Sequence, residues 1–426
     1  MTDATTRKRP EGLAAYVAGT AAYWAFMLTD GALRMLVLLH FHTLGFTPIQ
    51  LAYLFLLYEA AGVATNLAAG WIAARFGLTS TLYAGLALQI VALAALTRVD
   101  PGWAVVTSVV FVMAVQGLSG VAKDLAKMSS KSAVKVLAPP EEKGALFRWV
   151  AALTGSKNAV KGFGFLLGAG LLGLVGFEGA VAGMAAVLAV ILVVVAALMP
   201  SGLPKGRRDA KVTEVFSKSG DVNRLSAARL FLFGARDVWF VVGVPLYFYA
   251  VLSDGTAEGK REAFFAVGTF MAVWIIGYGA VQALAPKLLR ARDKTVAETV
   301  SLARLWVGVL TLIPAALAGA AWVSGGPADW LTATLVAGLL AFGVVFALNS
   351  SLHSYLILAF TKAERVTMDV GFYYMANAGG RLVGTLLSGL SYQAGGLPLC
   401  LATAAAMAAA SWLCAGTLDR HARATA

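Results

Sequence analysis

Nine ionisable residues lie inside long apolar stretches of this 426-residue chain: Asp30, Arg34, Glu59, Lys157, Lys161, Arg229, Arg236, Asp237 and Arg381. A charge in such surroundings is costly unless paired or hydrogen-bonded, which makes each position a functional candidate. Six of the nine are basic and three acidic, so pairing within the set leaves three positive charges over. That surplus points to an anion with several negative charges rather than a cation. Arginine suits the task, because its planar fork grips phosphate or carboxylate with two parallel hydrogen bonds. We therefore expect Arg34, Lys161, Arg236 and Arg381 to line an anion site, with Asn158 and Asn377 beside them as neutral donors. The carboxylates Glu59, Asp30 and Asp237 are the candidates for proton coupling. Glu59 comes first, since no basic residue lies within one turn of it on its own helix, whereas Asp30 and Asp237 have basic residues nearby. The competing reading is pairing that only locks helices together: Asp30 with Arg34 one turn on, and Asp237 with a neighbouring basic residue.

A second pattern runs from Gly120 to Lys135, GVAKDLAKMSSKSAVK, where Lys123, Lys127, Lys131 and Lys135 recur every four residues and so share one helix face. Such a stripe is either a solvated face against anionic lipid headgroups or a funnel that concentrates an anion at the mouth of a path. Under the second reading Lys123 and Lys127 belong to the substrate site, and Ser129, Ser130 and Ser132 add hydroxyl donors. His40, His42, His353 and His421 show no metal-ligand spacing, and Cys400 and Cys414 sit too far apart along one apolar run to pair. There is no GxxxxGK[ST] loop, no HExxH and no nucleophile–base set. No cofactor, metal or enzymatic activity is expected, and a carrier driven by a gradient is.

The elements that must position these residues are membrane helices. Hydrophobic residues make up 59% of the chain and charged ones 13%, about half the charged share of a soluble domain. Apolar runs long enough to span a bilayer fall at 16–42, 48–74, 80–97, 103–126, 148–174, 178–198, 223–251, 263–285, 300–321, 330–353, 369–392 and 397–417. The first is too long for a signal peptide, contains Asp30 and Arg34, and reads as a retained helix behind Arg7, Lys8 and Arg9. With the N-terminus inside, 25 of the 34 Lys and Arg residues fall in inside segments, while outside loops hold only Arg98, Lys260 and Arg261. By the positive-inside rule both termini are cytoplasmic, and the net charge of +12 reflects topology rather than nucleic-acid binding. The polar stretch 200–222 divides the chain into halves 1–199 and 223–426. Those halves echo one another: DGALRMLVLLHFH from Asp30 aligns with DVWFVVGVPLYFY from Asp237, and Asn158-Ala159 before Lys161 aligns with Asn377-Ala378 before Arg381. The expected fold is an all-α membrane protein of twelve transmembrane helices in two six-helix halves, the major facilitator arrangement. In it the third, sixth, ninth and twelfth helices are peripheral; runs three, six and twelve hold no charged residue in their interiors, and run nine holds only Arg304 near its inner end.

The segment Gly70–Gly77, GWIAARFG, resembles the loop motif that major facilitators carry after their second helix, with Ala74 where an acidic residue is usual. More specifically, four polar strings resemble the organoarsenical efflux permeases of bacterial arsenic-resistance operons, the ArsJ family. They are TDGALRMLVLLHFHTLGFTPIQLAYLFLLYE (Thr29–Glu59), QGLSGVAKDLAKMSSKSAVK (Gln116–Lys135), TGSKNAVKGFGF (Thr154–Phe165) and ARDVWFVVGVPLY (Ala235–Tyr247). The resemblance implies export of 1-arseno-3-phosphoglycerate across the bacterial inner membrane. It also implies a functional link to the glyceraldehyde-3-phosphate dehydrogenase that makes this compound when arsenate replaces phosphate. Two other readings stay open: a carrier of the same fold for another phosphorylated metabolite or organic acid, and a sensor that does not transport.

Overall fold

The computed structural model describes residues 11–76, 78–137, 145–198, 217, 219–289, 294–361 and 366–424, all but the connecting turns helical. The helices are α1 (Glu11–Thr43), α2 (Pro48–Phe76), α3 (Leu78–Leu96), α4 (Val105–Leu137), α5 (Ala145–Leu198), α6 (Gly220–Val238), α7 (Val244–Leu252), α8 (Ala257–Leu288), α9 (Val296–Ser324), α10 (Asp329–Phe360) and α11 (Val366–Ala424), with a π-helical turn, Trp239–Gly243, joining α6 to α7. Arg7 to Arg9, the segment 199–216 and the side chains of Ser129, Ser130, Lys131, Ser132, Lys135, His421 and most of 70–77 lie outside the described residues.

Ten helical stretches among the described residues are long and apolar enough to cross a membrane. Two are too long to cross once: Ser156–Leu198 has 43 residues and Asp369–Leu418 has 50, about 65 and 75 Å at 1.5 Å per residue, against a hydrocarbon core of about 30 Å. Each is broken by glycine. Gly176 turns α5 with φ 74°, and Gly395–Gly396 turn α11, Gly396 with φ 61°. Left-handed backbone of this kind costs an L side chain free energy and costs glycine nothing, so the chain reverses there without a loop. With both divided, twelve rods coincide with the twelve expected spans.

Small residues hold these rods close. Gly164 and Gly168 of α5 form a GxxxG pair against α1, and Gly380 and Gly384 of α11 form another against α6. A Cβ at Gly168 would strike the Ala32 carbonyl, and one at Gly380 the Leu230 carbonyl. Backbones approaching this closely gain van der Waals contact, the attraction that remains when lipid removes the hydrophobic drive between helices. The apolar side chains left outside concentrate on the peripheral rods: Val190 is 62% exposed, Leu312 68% and Leu413 62%. By contrast α1 is buried without a break from Thr29 to Leu39, and α6–α7 from Leu232 to Tyr249. Facing outward is cheap for valine and leucine in lipid and expensive for a charge, so the charged rods occupy the middle.

Past the membrane surface, the turn before α8 is fixed by polar contacts. The Thr256 hydroxyl and then its backbone N–H donate to Asp254, holding that carboxyl below the usual range.

Gly380→Val should cost about 3 kcal/mol or more through overpacking against the α6 backbone, seen as loss of monodisperse protein on size exclusion. Gly277→Val, where a Cβ meets nothing within 4 Å, should leave the elution profile unchanged. Equal behaviour of the two variants would remove the close crossing as a stabilising feature.

Candidate functional site

Five charges from four helices form one chain at the centre. Arg34 of α1 and Arg381 of α11 both donate to Glu59 Oε1 of α2, at 2.5 and 2.6 Å. Arg381 Nε reaches back to Asp237 Oδ2 of α6 at 3.3 Å, and Arg236 closes on Asp237 Oδ1 at 2.5 Å. Glu59 and Asp237 are fully buried, Arg34 and Arg236 nearly so, and Arg381 is half-buried. Three guanidinium groups thus share two carboxylates, and Arg381 alone links α2 to α6. Aromatic rings fill the remaining walls. Arg34 lies over Phe55 at 5.2 Å and Tyr58 at 5.5 Å, and Arg236 over Phe233 at 4.9 Å. Such faces attract a guanidinium without neutralising it.

Beside this chain sits a second pair. The Tyr58 hydroxyl donates to Asp30 Oδ1 at 2.5 Å, and Lys161 Nζ stands 3.6 Å from Asp30 Oδ2. Tyr58 is the residue before Glu59, so one turn of α2 touches both groups. Lys123 of α4 lays its ammonium 4.0 Å from the Tyr58 ring centroid, and no carboxylate pairs with it among the described residues. The next residue, Asp124, is fully buried and accepts from the Thr65 hydroxyl, from Lys127 at 3.1 Å and from Asn66 at 3.5 Å. Lys127 also donates to Asn66 at 2.7 Å. The first two lysines of the stripe therefore turn inward, and the solvated-face reading fails for them.

Local sequence explains how α6 aims its charges. Pro245 lacks an N–H and its ring crowds the carbonyl one turn back, and the helix opens into the π turn at Trp239, two residues after Asp237. The Ser388 hydroxyl of α11 accepts from the Val242 and Gly243 N–H groups, at 3.1 and 3.3 Å. Interruptions of this type cluster at functional sites.

Several expectations need correction. Asp30 does not pair with Arg34; each takes a partner from another helix, because a shared acceptor between rods satisfies more charge than a single turn can. Glu59 lacks basic neighbours only along α2, and across helices it holds two arginines. Asn158 donates to Gln282 of α8 at 3.3 Å instead of joining the central chain, and Asn377 Oδ1 is buried with no partner. Sequence reasoning passed over Tyr58, Asp124, Thr65, Asn66 and Gln282. Asp124 was visible as the one acid inside the lysine stripe; nothing in the spacing marks the others.

The Major Facilitator Superfamily profile matches residues 16–357. No curated protein matches the chain. Among solved structures, a mutant of the nucleoside transporter NupG is similar, with TM-score 0.64 and 15% identity, over 96% of this chain and 98% of that one. A structure described for substrate recognition in proton dependent oligopeptide transporters gives TM-score 0.69 and 14% identity, over 97% of this chain and 100% of the other. At these identities the likeness is one of fold.

Breaking the central chain at one member should be costly. Glu59→Met leaves two buried guanidinium groups short of a partner, a loss of about 3–5 kcal/mol, and Arg34→Met, which leaves Glu59 its bond from Arg381, should cost less. The double variant should lose at least about 1 kcal/mol less than the sum of the two, as coupled neighbours do. Thermal unfolding followed by tryptophan fluorescence measures all three, and simple additivity would mean that the pair is not energetically coupled.

Proposed function

Because this chain belongs to the major facilitator superfamily, a group of multi-pass secondary transporters that move small molecules across a bilayer, we propose that its cargo is an organic polyanion and its direction is export. One observation carries the reading. Among the described residues of the central chain, of the groups beside it and of α6, seven buried or half-buried cations, Arg34, Lys123, Lys127, Lys161, Arg229, Arg236 and Arg381, stand against four carboxylates, Asp30, Glu59, Asp124 and Asp237. Three positive charges remain over in a low-dielectric interior, where each is expensive. A ligand with two or three negative charges would relieve them, and a cationic one would add to them.

The sharing of carboxylates supplies a binding mechanism. Arg381 gives hydrogen bonds to both Glu59 and Asp237, so an arriving oxyanion can take one of its N–H groups without stripping it of all partners. Arg34 and Arg236 share the same acceptors, Lys161 stands by Asp30, which accepts from the Tyr58 hydroxyl, and Lys123 rests on the Tyr58 ring. On the resemblance described above, we take the cargo to be 1-arseno-3-phosphoglycerate, a phosphate at one end and an arsenate at the other. The membrane is then the bacterial inner membrane with both termini cytoplasmic, and the halves 1–199 and 223–426 rock about the central chain. Export of such a polyanion from an inside-negative cell is already favoured by about 2.3 kcal/mol per charge per 100 mV.

If protons are coupled as well, Asp30 suits the role better than Glu59. A proton on Glu59 would have to displace two arginines, whereas Asp30 faces one lysine at 3.6 Å and its Oδ2 makes no hydrogen bond.

Arg381→Lys keeps the charge and loses the fork, and should lower uptake into inverted vesicles at limiting substrate at least tenfold. Wild-type uptake by that variant would refute bidentate binding. Expression of the wild-type protein should confer arsenate resistance only alongside the partner dehydrogenase. Resistance without it, or none with it, would reassign the cargo, and competition by 3-phosphoglycerate would then test other phosphorylated metabolites. Asp30→Asn should flatten the pH dependence of net transport and spare substrate exchange, while Glu59→Gln should reduce both. A pH profile unchanged in Asp30→Asn would exclude Asp30 from coupling.

A further inference from the structure

Arg229 plays no part in the central chain. It lies seven residues before Arg236 on α6, about 10 Å nearer the N-terminus of that helix at 1.5 Å per residue. Residues 229, 233 and 236 share one helix face, and Phe233 stands between the two arginines. Its ring centroid is 4.0 Å from the Arg229 guanidinium carbon and 4.9 Å from that of Arg236. Arg229 is 4% exposed. Its Nη1 donates to the Ser350 carbonyl and hydroxyl of α10, at 3.1 and 3.0 Å, and Tyr373 of α11 covers it with a ring 5.0 Å away. Among the described residues no carboxylate pairs with it, and its Nε makes no hydrogen bond.

Unused polar atoms gather at the same place. Ser226 Oγ, one turn earlier on α6, and His353 Nδ1, one turn after Ser350 on α10, are both buried without partners. A buried guanidinium resting on a neutral carbonyl, a hydroxyl and two rings is underpaid in charge, and orphaned buried polar atoms are uncommon in folded proteins. Helix packing alone accounts for neither. A small oxyanion would account for both, by neutralising the guanidinium and accepting from the hydroxyl and the imidazole N–H.

We propose that Arg229, Ser226, Ser350 and His353 form a second oxyanion-binding station, separate from the Arg34–Arg381 chain and displaced along α6 toward its N-terminal end. Access follows from the neighbours. Ser350 Oγ accepts from Gln282 of α8 at 3.4 Å, and Gln282 accepts from Asn158 of α5 at 3.3 Å. Both bonds are long, so parting α5 from α8 breaks the bond from Asn158 and leaves Gln282 held at Ser350 by the weaker one, which an anion can displace. An anion leaving or approaching Arg236 along this face of α6 passes Phe233 and meets a positive charge rather than bare lipid-like packing. The same chemistry fits a free phosphoryl or carboxylate anion and the phosphate of a lipid headgroup.

The test is equilibrium binding of labelled inorganic phosphate to the full-length protein in phosphatidylcholine nanodiscs. Wild type should bind two phosphates per chain. Arg229→Gln should bind one, and Arg381→Gln should bind one. Arg229→Lys and Ser226→Ala should keep two sites with one of them weakened several-fold, and these two variants decide the matter if Arg229→Gln does not fold. Unchanged stoichiometry and affinity in the Arg229 and Ser226 variants overturns the second station. A single wild-type site abolished only by Arg381→Gln overturns it too and leaves the central reading intact. A single site abolished only by Arg229→Gln supports the station and removes phosphate from the central cluster. Repeating the measurement with phosphatidylglycerol in the disc identifies the natural occupant: loss of the Arg229-dependent site means a headgroup holds it, and persistence means a free anion does.

Discussion

A single guanidinium joins the charges of three helices at the centre. Arg381 of α11 donates to Glu59 of α2 and to Asp237 of α6, and an arginine at this depth is tolerable only while it keeps such partners. That requirement fixes the rotation of three rods at once, because turning any of them by one residue would withdraw a buried charge from its partner. It also explains why the crossings beside it are lined with glycine. Gly380 and Gly384 flank Arg381 on α11 and press on the backbone of α6, bringing Asp237 within reach of a side chain from the next helix. Close packing and charge pairing are here one constraint: a bulkier crossing would move the helices apart and strand the charges.

The course of the chain was largely legible in the sequence, for a physical reason. Lipid forces every backbone polar group to be satisfied within its own segment, so apolar length translates directly into helices. The two tight turns were legible too, because the apolar runs pause at Gly176 and at Gly395–Gly396, with Pro398 following at a helix start where its missing N–H does no harm. What spacing cannot convey is which rod faces which. Along one helix it showed Asp30 near Arg34 and Glu59 near nothing basic. Three-dimensional packing reverses both impressions, because partners in a bundle come from helices hundreds of residues apart: Arg381 and Glu59 are separated by 322 positions. Asp124 was obscured by its lysine neighbours, which made the segment look like a solvated surface, and its complete burial turns the stretch from Lys123 to Lys127 toward the interior. The π turn after Asp237 had one advance sign, Pro245, which says that the helix is disturbed but not in what way.

The electrostatic arrangement is neither a neutral lock nor a bare positive pocket, and the difference matters for movement. A fully matched set of ion pairs would be stable in one geometry and indifferent to a passing anion. Unpaired cations alone would bind an anion too firmly to release it. Here Arg34, Arg236 and Arg381 compete for two carboxylates, and Lys123 rests on the face of Tyr58. With the proposed anionic cargo, each of the three arginines can exchange a resident acceptor for a visiting one at small net cost, since one charged hydrogen bond replaces another in the same dielectric. Bound anion and resident carboxylates then become alternatives for the same donors. With the proposed cargo, a ligand that draws Arg381 away from Glu59 loosens a contact of α11 with α2 and keeps the one with α6. Binding energy is thereby coupled to the relative position of the helices, and a carrier must have that coupling if its cargo is to bias which side of the membrane is open.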